Sequence, residues 1–391
     1  MKIKETIYLD YQATTPIETQ VWDKMVPYFR EMFGNPHSSD HFLGWNASQA
    51  LEKAATRVGM LIGSDSNEII FTSGATEANN LALLGVSRRA AQGKRGRILV
   101  STIEHKSMLA VSRILQDQLG YQVEYLPVDH EGLIDIAYLD ETLNEDVLIV
   151  SIMAVNNEIG TIQNIEAISN MIRGYGAFFH CDAAQAPCAL DINKFARIVD
   201  FISLSAHKMY GPKGIGALYI RHDLQEMVEP LIYGGGQQGA LRSGTVPVPL
   251  CVGMGTAADL VMGEWGEQSR AELRKLRDNF IQQLQGLPWS ITLNGPKKHR
   301  HPGNANLCFM GFSAHEILNS LQPYVAASTG SACTSGIPEP SHVLKGIGLS
   351  EQEIEGSIRF SLGRGTTPDD LAEAVQLIDK TLSDLAELKH H

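Results

Sequence analysis

Phe201-Ile202-Ser203-Leu204-Ser205-Ala206-His207-Lys208 runs from an apolar strand into a polar end that carries an amine. A lysine there, behind a serine and a histidine, is poorly explained as solvated surface charge. Held at a strand end in a partly dry site, its amine can be deprotonated and form a Schiff base with a carbonyl cofactor. The same rhythm extends outward along the chain. Residues 68–72, 98–101, 123–127, 147–153, 178–181, 201–205 and 216–220 read as strands, and intervening segments such as 106–119 and 165–175 carry helical spacing. That alternation predicts a largely parallel sheet covered by helices on both faces. Ligands of such sheets gather at the carboxyl ends of the strands, where Lys208 stands. Beyond about residue 260, helical stretches such as 270–285 alternate with a few short strands. This predicts a smaller α+β domain with a surface loop rich in Gly, Ser and Pro at 328–340.

Composition narrows the function. The chain has 391 residues, 43% of them hydrophobic, enough for two domains with sizeable cores. A net charge of -12 argues against direct binding to nucleic acid or to an anionic membrane surface. No apolar run is long enough to span a bilayer, and Met1-Lys2-Ile3-Lys4-Glu5-Thr6 lacks the apolar stretch of a signal peptide. Five scattered cysteines do not form a disulfide framework, so a reducing cytoplasm is expected. No metal site is expected.

Other strand ends carry chemistry of their own. Thr72-Ser73-Gly74-Ala75-Thr76-Glu77 is a glycine turn into a helix N-terminus, a natural phosphate cradle. By itself it fits an ordinary Ser/Thr helix cap better. Asp182, after the strand 178–181, can hold a pyridinium nitrogen protonated or simply cap a turn. His105, in Ser101-Thr102-Ile103-Glu104-His105-Lys106, can stack on a cofactor ring and move protons, though a lone histidine there more often starts a helix. Asn156-Asn157-Glu158 puts further polar groups at a strand end. Arg242-Ser243-Gly244-Thr245 is either a phosphate-closing loop or a plain surface loop. Cys333 sits among small and hydroxyl residues in Ser328-Thr329-Gly330-Ser331-Ala332-Cys333-Thr334-Ser335-Gly336, whereas Cys308 has apolar neighbours. Cys333 is therefore the expected reactive thiol. Arg359, inside the apolar alternation Ser357-Ile358-Arg359-Phe360-Ser361, calls for a carboxylate, from a substrate or from a structural ion pair.

Taken together and in this order, these segments resemble the cysteine desulfurases, pyridoxal-phosphate enzymes of the class V aminotransferase group with the aspartate aminotransferase-like fold (fold type I). The resemblance covers nearly the whole chain, from Tyr8-Leu9-Asp10-Tyr11-Gln12-Ala13-Thr14-Thr15-Pro16 through Cys181-Asp182-Ala183-Ala184-Gln185 to Arg359-Phe360-Ser361-Leu362-Gly363-Arg364. The loop Gly330-Ser331-Ala332-Cys333-Thr334-Ser335 is similar to that of the long-loop group I enzymes. The resemblance implies a homodimer with a large cofactor domain, 15–262, and a small domain, 1–14 plus 263–391, that carries the 328–340 loop. It implies pyridoxal 5'-phosphate held covalently by Lys208, with Asp182 at the pyridinium nitrogen, Gln185 at the ring hydroxyl and His105 over the ring. Ala75, Thr76, Ser205 and His207 would bind the phosphate, joined by Thr245 of the partner subunit. Asn157 and Arg359 would hold the substrate carboxylate. Cys333 would take sulfur from L-cysteine, leaving L-alanine, and pass the persulfide to acceptor proteins of iron–sulfur cluster assembly, tRNA thiolation or DNA sulfur modification. Selenocysteine lyase or another class V enzyme is the alternative. Gln237-Gln238-Gly239-Ala240 departs from the family pattern, which has Glu-Arg-Gly ahead of Arg-Ser-Gly-Thr, and His37-Ser38-Ser39-Asp40-His41 is slightly rearranged.

Overall fold

The computed structural model describes residues 1–91, 93–263, 266–330 and 340–390. Seven strands form the central sheet: β1 (Ile69–Thr72), β2 (Arg97–Ser101), β3 (Gln122–Leu126), β4 (Val147–Ser151), β5 (Phe178–Asp182), β6 (Phe201–Ser205) and β7 (Gly216–Ile220). Their spatial order is β1-β7-β6-β5-β4-β2-β3. Pairing is parallel from β6 through β5, β4 and β2 to β3, and antiparallel on both sides of β7. β7 alone therefore runs against the other six, whose carboxyl ends share one edge.

All seven strands fall within a few residues of the sequence reading, because β4, β6 and β7 are buried at every position and read as continuous apolar runs. Apolar clusters lie on both faces: Leu99, Val150, Phe179 and Leu204 belong to one, Ile98, Ile149, Phe201 and Leu218 to the other. Alternate residues of one strand point to opposite sides, so helices must cover both. They are drawn from α1 (Phe42–Ile62), α2 (Ala75–Ala90), α3 (Lys106–Asp117), α4 (Ile165–Arg173) and α5 (Val248–Gly263), while α6 (Glu267–Gln285) and α7 (Pro368–His390) pack against each other in the later part of the chain.

A second, antiparallel sheet holds β8 (Ile291–Leu293), β9 (Asn304–Phe309) and β10 (Ser357–Ser361). A small sheet ties the amino end to the later part of the chain, since Thr6–Tyr8 pairs in parallel with Val325–Ala326. An isolated bridge from Asp10 to Ser361 continues that contact. This pairing carries the N-terminal residues to β10 and, with it, to the rim of the large sheet. Among the described residues no helix is long and apolar enough to cross a membrane.

Candidate active site

The shared carboxyl edge opens into a cavity of about 560 Å³. Each contributing strand delivers its side chains through the turn that follows it. β1 leads into Ser73, Gly74 and the first turn of α2, with Ala75, Thr76 and Glu77 on the wall. β2 leads to His105, β4 to Met153, Val155 and Asn157, β5 to Asp182, Ala184 and Gln185, and β6 to Ser205, His207 and Lys208. The small sheet adds Arg359, and the amino-terminal segment adds Asp10, Gln12, Ala13 and Thr14.

The Lys208 ammonium lies 2.6 Å from the Gln12 carbonyl and 2.7 Å from that of Ala13, donating to both. Asp182 is 5% exposed; its Oδ1 accepts from the Ala184 N–H at 2.9 Å and its Oδ2 from Asn79 Nδ2 at 2.8 Å. His105 caps α3: the Ser107 N–H donates to Nδ1 at 3.2 Å. A neutral ring with Nδ1 as acceptor carries its hydrogen on Nε2. Burial holds the His105 pKa below its ordinary value, with Lys208, His342 and Lys106 adding to the effect and Asp182 opposing it. The His207 imidazole, beside Thr14 Oγ1, is pushed down to about 4 by burial and by Lys208 and Lys213.

The glycine turn is tight. Gly216 on β7 sits against Gly74, and a Cβ on Gly216 would come within 2.6 Å of the Gly74 Cα and 2.5 Å of the Leu204 carbonyl. Only glycine lets the turn at the head of α2 lie on the sheet edge. Gly74, at φ 154°, gives α2 no side-chain cap. The backbone N–H groups of its first turn lack the intrahelical acceptor that later residues have.

Arg359 is 4% exposed. Its Nη2 donates to Asp10 Oδ1 at 2.6 Å and its Nη1 to the Asn157 carbonyl at 2.8 Å, while Nε is buried with no hydrogen-bond partner among the described residues. The ion-pair reading of this residue is met by Asp10, and one further donor, Nε, stays without a partner among the described residues. Burial raises the Asp10 pKa and Arg359 opposes the rise.

Of the expected cofactor and substrate residues, Ala75, Thr76, His105, Asn157, Asp182, Gln185, Ser205, His207, Lys208 and Arg359 all line this one cavity. Thr245 does not. Cys333 lies outside the described residues; Cys181, Cys188, Cys251 and Cys308 are buried, and burial raises the pKa of each. The departing loop is held by neutral groups. The Gln238 carboxamide accepts from the Phe71 N–H at 2.7 Å and donates to the Phe71 carbonyl at 3.0 Å, as an added strand would. Gln237 Oε1 accepts from the Gly244 N–H at 2.9 Å, and Arg242 pairs with Glu77 at 2.9 Å.

Asp10, Asn79, Glu104 and Lys213 were given no role in the sequence reading. Asn79 had a legible signal: a polar residue on the buried stripe of α2, between Ala78, Leu81 and Ala82. Asp10 had none, because its partner lies 349 positions away.

Comparison with known proteins agrees with this geometry. The class-V aminotransferase family model matches residues 7–373. "Cysteine desulfurase IscS" of Rickettsia felis is 44% identical over 384 residues, which is 98% of this chain and 92% of that relative. A solved "NifS-like protein" superposes with a TM-score of 0.89 at 33% identity, covering 97% of this chain and 99% of the other. A structure titled "SspA in complex with cysteine" does so with a TM-score of 0.80 at 36% identity, covering 91% and 98%. A full-length family match and a relative this similar, on the fold and strand-end groups described above, leave one conclusion: the chain belongs to the class-V aminotransferase family, among its cysteine desulfurases.

Proposed function

We propose that the protein is a pyridoxal-phosphate-dependent cysteine desulfurase that converts L-cysteine to L-alanine and retains the sulfur as a persulfide on Cys333. The observation that carries this reading is the convergence of Lys208, Asp182, His105 and Arg359 on one cavity.

The residues present fit the cofactor. An amine stands at one strand end and a carboxylate fixed by two donors at the next. An uncapped helix N-terminus with glycine clearance faces the same space. Lys208 would hold the cofactor covalently, Asp182 would face its ring nitrogen, Gln185 its ring hydroxyl, and His105 would cover the ring. Ala75, Thr76, Ser205 and His207 would hold its phosphate with Thr245 of the partner subunit. Bound there, pyridoxal phosphate supplies an electron sink for the substrate's Cα and Cβ.

The chain's own groups do the rest. Arg359, whose Nε–H has no partner among the described residues, would take the substrate carboxylate together with Asn157, whose carbonyl accepts from its Nη1. His105, on the cavity wall, would hold a proton at Nε2, and its lowered pKa favours the neutral ring. The thiolate of Cys333 attacks the substrate sulfur: an S–S bond forms, the Cβ–S bond breaks, and carbon keeps the electron pair and takes a proton to give alanine. The four other cysteines are buried, which supports Cys333 as the attacking thiol.

A homodimer is part of the proposal. Trp22, Phe29, Phe33, Phe42 and Trp45 expose between 52% and 66% of their surface within one short stretch of chain, and Tyr233 exposes 69% beside the loop that carries Thr245. A soluble monomer has no use for so many exposed aromatics close together. The domain division at about residue 262, a cytoplasmic location and delivery of sulfur to acceptor proteins of cluster assembly, tRNA thiolation or DNA sulfur modification complete the reading.

The test is a paired assay of wild type and Cys333→Ser with L-cysteine, following alanine, sulfide and the cofactor spectrum. The variant is expected to change the cofactor spectrum on adding cysteine yet release no sulfide. Full activity in the variant would sink the assignment.

A further inference from the structure

Glu158 follows Asn157 in the turn after β4, and the proposed reaction has so far given it nothing to do. Its side chain is 3% exposed. The backbone around it is fixed: its N–H donates to Asn156 Oδ1 at 2.8 Å, and its carbonyl accepts from Asn304 Nδ2 at 2.9 Å and Asn306 Nδ2 at 3.2 Å. The carboxylate is thereby held at one place, and it meets two residues that lie far apart from it in sequence.

On one side is Gly330. A Cβ there would stand 3.3 Å from both Cγ and Oε2 of Glu158, and Gly330 has φ +83°, so the position admits glycine on both counts. On the other side Ser341 donates its hydroxyl to Glu158 Oε2 at 2.5 Å. Gly330 and Ser341 flank residues 331–339, the segment whose sequence contains Cys333. Each flank is in turn tied to the cavity. The Gly330 N–H donates to Ser328 Oγ at 3.0 Å, and Ser328 exchanges backbone hydrogen bonds of 2.7 and 3.2 Å with Arg359. Ser328 and Gly330 both lie on the cavity wall. Ser341 accepts from the Leu344 N–H at 3.1 Å, capping the helix His342–Gly346, whose Val343, Leu344 and Ile347 pack on Ile103 and Ile159. His342 Nε2 donates to the Glu104 carbonyl at 2.8 Å, one residue from His105.

We propose that Glu158 is a positioning residue for sulfur transfer: its carboxylate clasps Gly330 and Ser341 and so fixes both against the turn that carries Asn157. This rests on the desulfurase reading, and deepens it. Reacting atoms must meet within about 3–3.5 Å, and displacement by about 1 Å costs on the order of 100-fold in rate. A clasp on Gly330 and Ser341 is where such a displacement would be controlled. Glu158 touches neither substrate nor cofactor in this role, so its loss should spare binding and slow sulfur transfer.

The experiment compares Glu158→Ala, Glu158→Gln and Ser341→Ala with wild type in single-turnover reactions of the holoenzyme with L-cysteine. Two rates are read: the spectral change on cysteine binding, and the appearance of persulfide on the Cys333 peptide by mass spectrometry. Glu158→Ala and Ser341→Ala are expected to slow persulfide formation on the order of 10- to 100-fold with the spectral change kept within about 2-fold. Glu158→Gln keeps an oxygen that accepts the Ser341 hydroxyl, and should stay within about 3-fold of wild type. In protein stripped of cofactor, hydrogen exchange at the Gly330 and Leu344 amides should quicken in Glu158→Ala and not in Glu158→Gln. Persulfide formation at the wild-type rate in Glu158→Ala would overturn the clasp. So would a fall of both rates together with the melting temperature, which marks a merely structural residue. A wild type that makes no persulfide on Cys333 would instead bring down the desulfurase reading, and the clasp with it.

Discussion

On one wall of the cavity, Ala75, Thr76, Ser205 and His207 come from turns that follow neighbouring strand ends: Thr72 and Ser205 both register against Gly216. On the opposite account stands the Arg359 wall. Asp10, Asn157, Ser328 and Arg359 come from four separate stretches, joined by contacts between residues 202 and 349 positions apart. The first wall is a by-product of sheet topology, since strands running the same way bring their ends together without further instruction. The second has to be assembled, and each of its members holds another in place. Damage should therefore stay local on the first wall and spread on the second.

The largest effect is expected at Arg359. Arg359→Ala removes the donor proposed for the substrate carboxylate and strands Asp10, whose side chain is 19% exposed. Losing charge-assisted hydrogen bonds to the substrate carboxylate, about 1.5–3 kcal/mol each, should lower kcat/KM for L-cysteine on the order of 100-fold. The cofactor spectrum should be unchanged without substrate. If cofactor binding falls in step, the two walls are not separable and the contrast fails.

Thr76→Ala probes the other wall. One hydrogen bond to a charged acceptor is worth about 1.5–3 kcal/mol, and the loss should appear as weaker cofactor retention, about 10- to 100-fold. KM for cysteine in enzyme saturated with cofactor should stay near that of wild type. A rise in KM instead would mean that the α2 turn shapes the substrate wall as well.

The same difference explains what the sequence disclosed. Lys208, Asp182 and His105 were legible because each ends an apolar run, and a polar group in that position has a physical meaning wherever the sheet is parallel. Residues of β4 and β6 could be read as strands for the same reason. Asp10 and Glu158 act through partners brought close only by the finished fold, and nothing in their own surroundings announces it. Gln238 is the opposite case. Its neighbourhood was recognised as a departure, but its role, a carboxamide that pairs with the backbone of edge strand β1, needed the structure. The missing charged pair of that loop is replaced by neutral donors and acceptors together with the Arg242–Glu77 ion pair.

The smallest effect sharpens the contrast through two acids. Glu104 and Asp10 are both pushed up in pKa by burial, but Asp10 has Arg359 against it. Glu104 has a second acid, Asp182, adding to the rise, and only the Met153 N–H at 2.6 Å opposing it. Its Oε2 is buried with no partner among the described residues. The Glu104 carboxyl is thus held neutral well above the usual carboxylate range. A raised folded-state pKa means that the folded protein binds this proton more tightly than the unfolded chain does. The associated stability is fully present below the unfolded value of about 4.3 and is lost as pH climbs from there toward the folded-state pKa. Glu104→Gln keeps a carbonyl oxygen for the Met153 N–H and removes the titration. Denaturant midpoints measured at pH 5.5 and pH 8 should fall less between the two pH values in the variant than in wild type, with cysteine turnover changed little at pH 7. Equal slopes would mean that Glu104 is already ionised or already paired in the native protein. A gentler slope would show that the unpaired Glu104, buried behind His105, carries a standing cost in stability that Asp10, paired with Arg359, avoids.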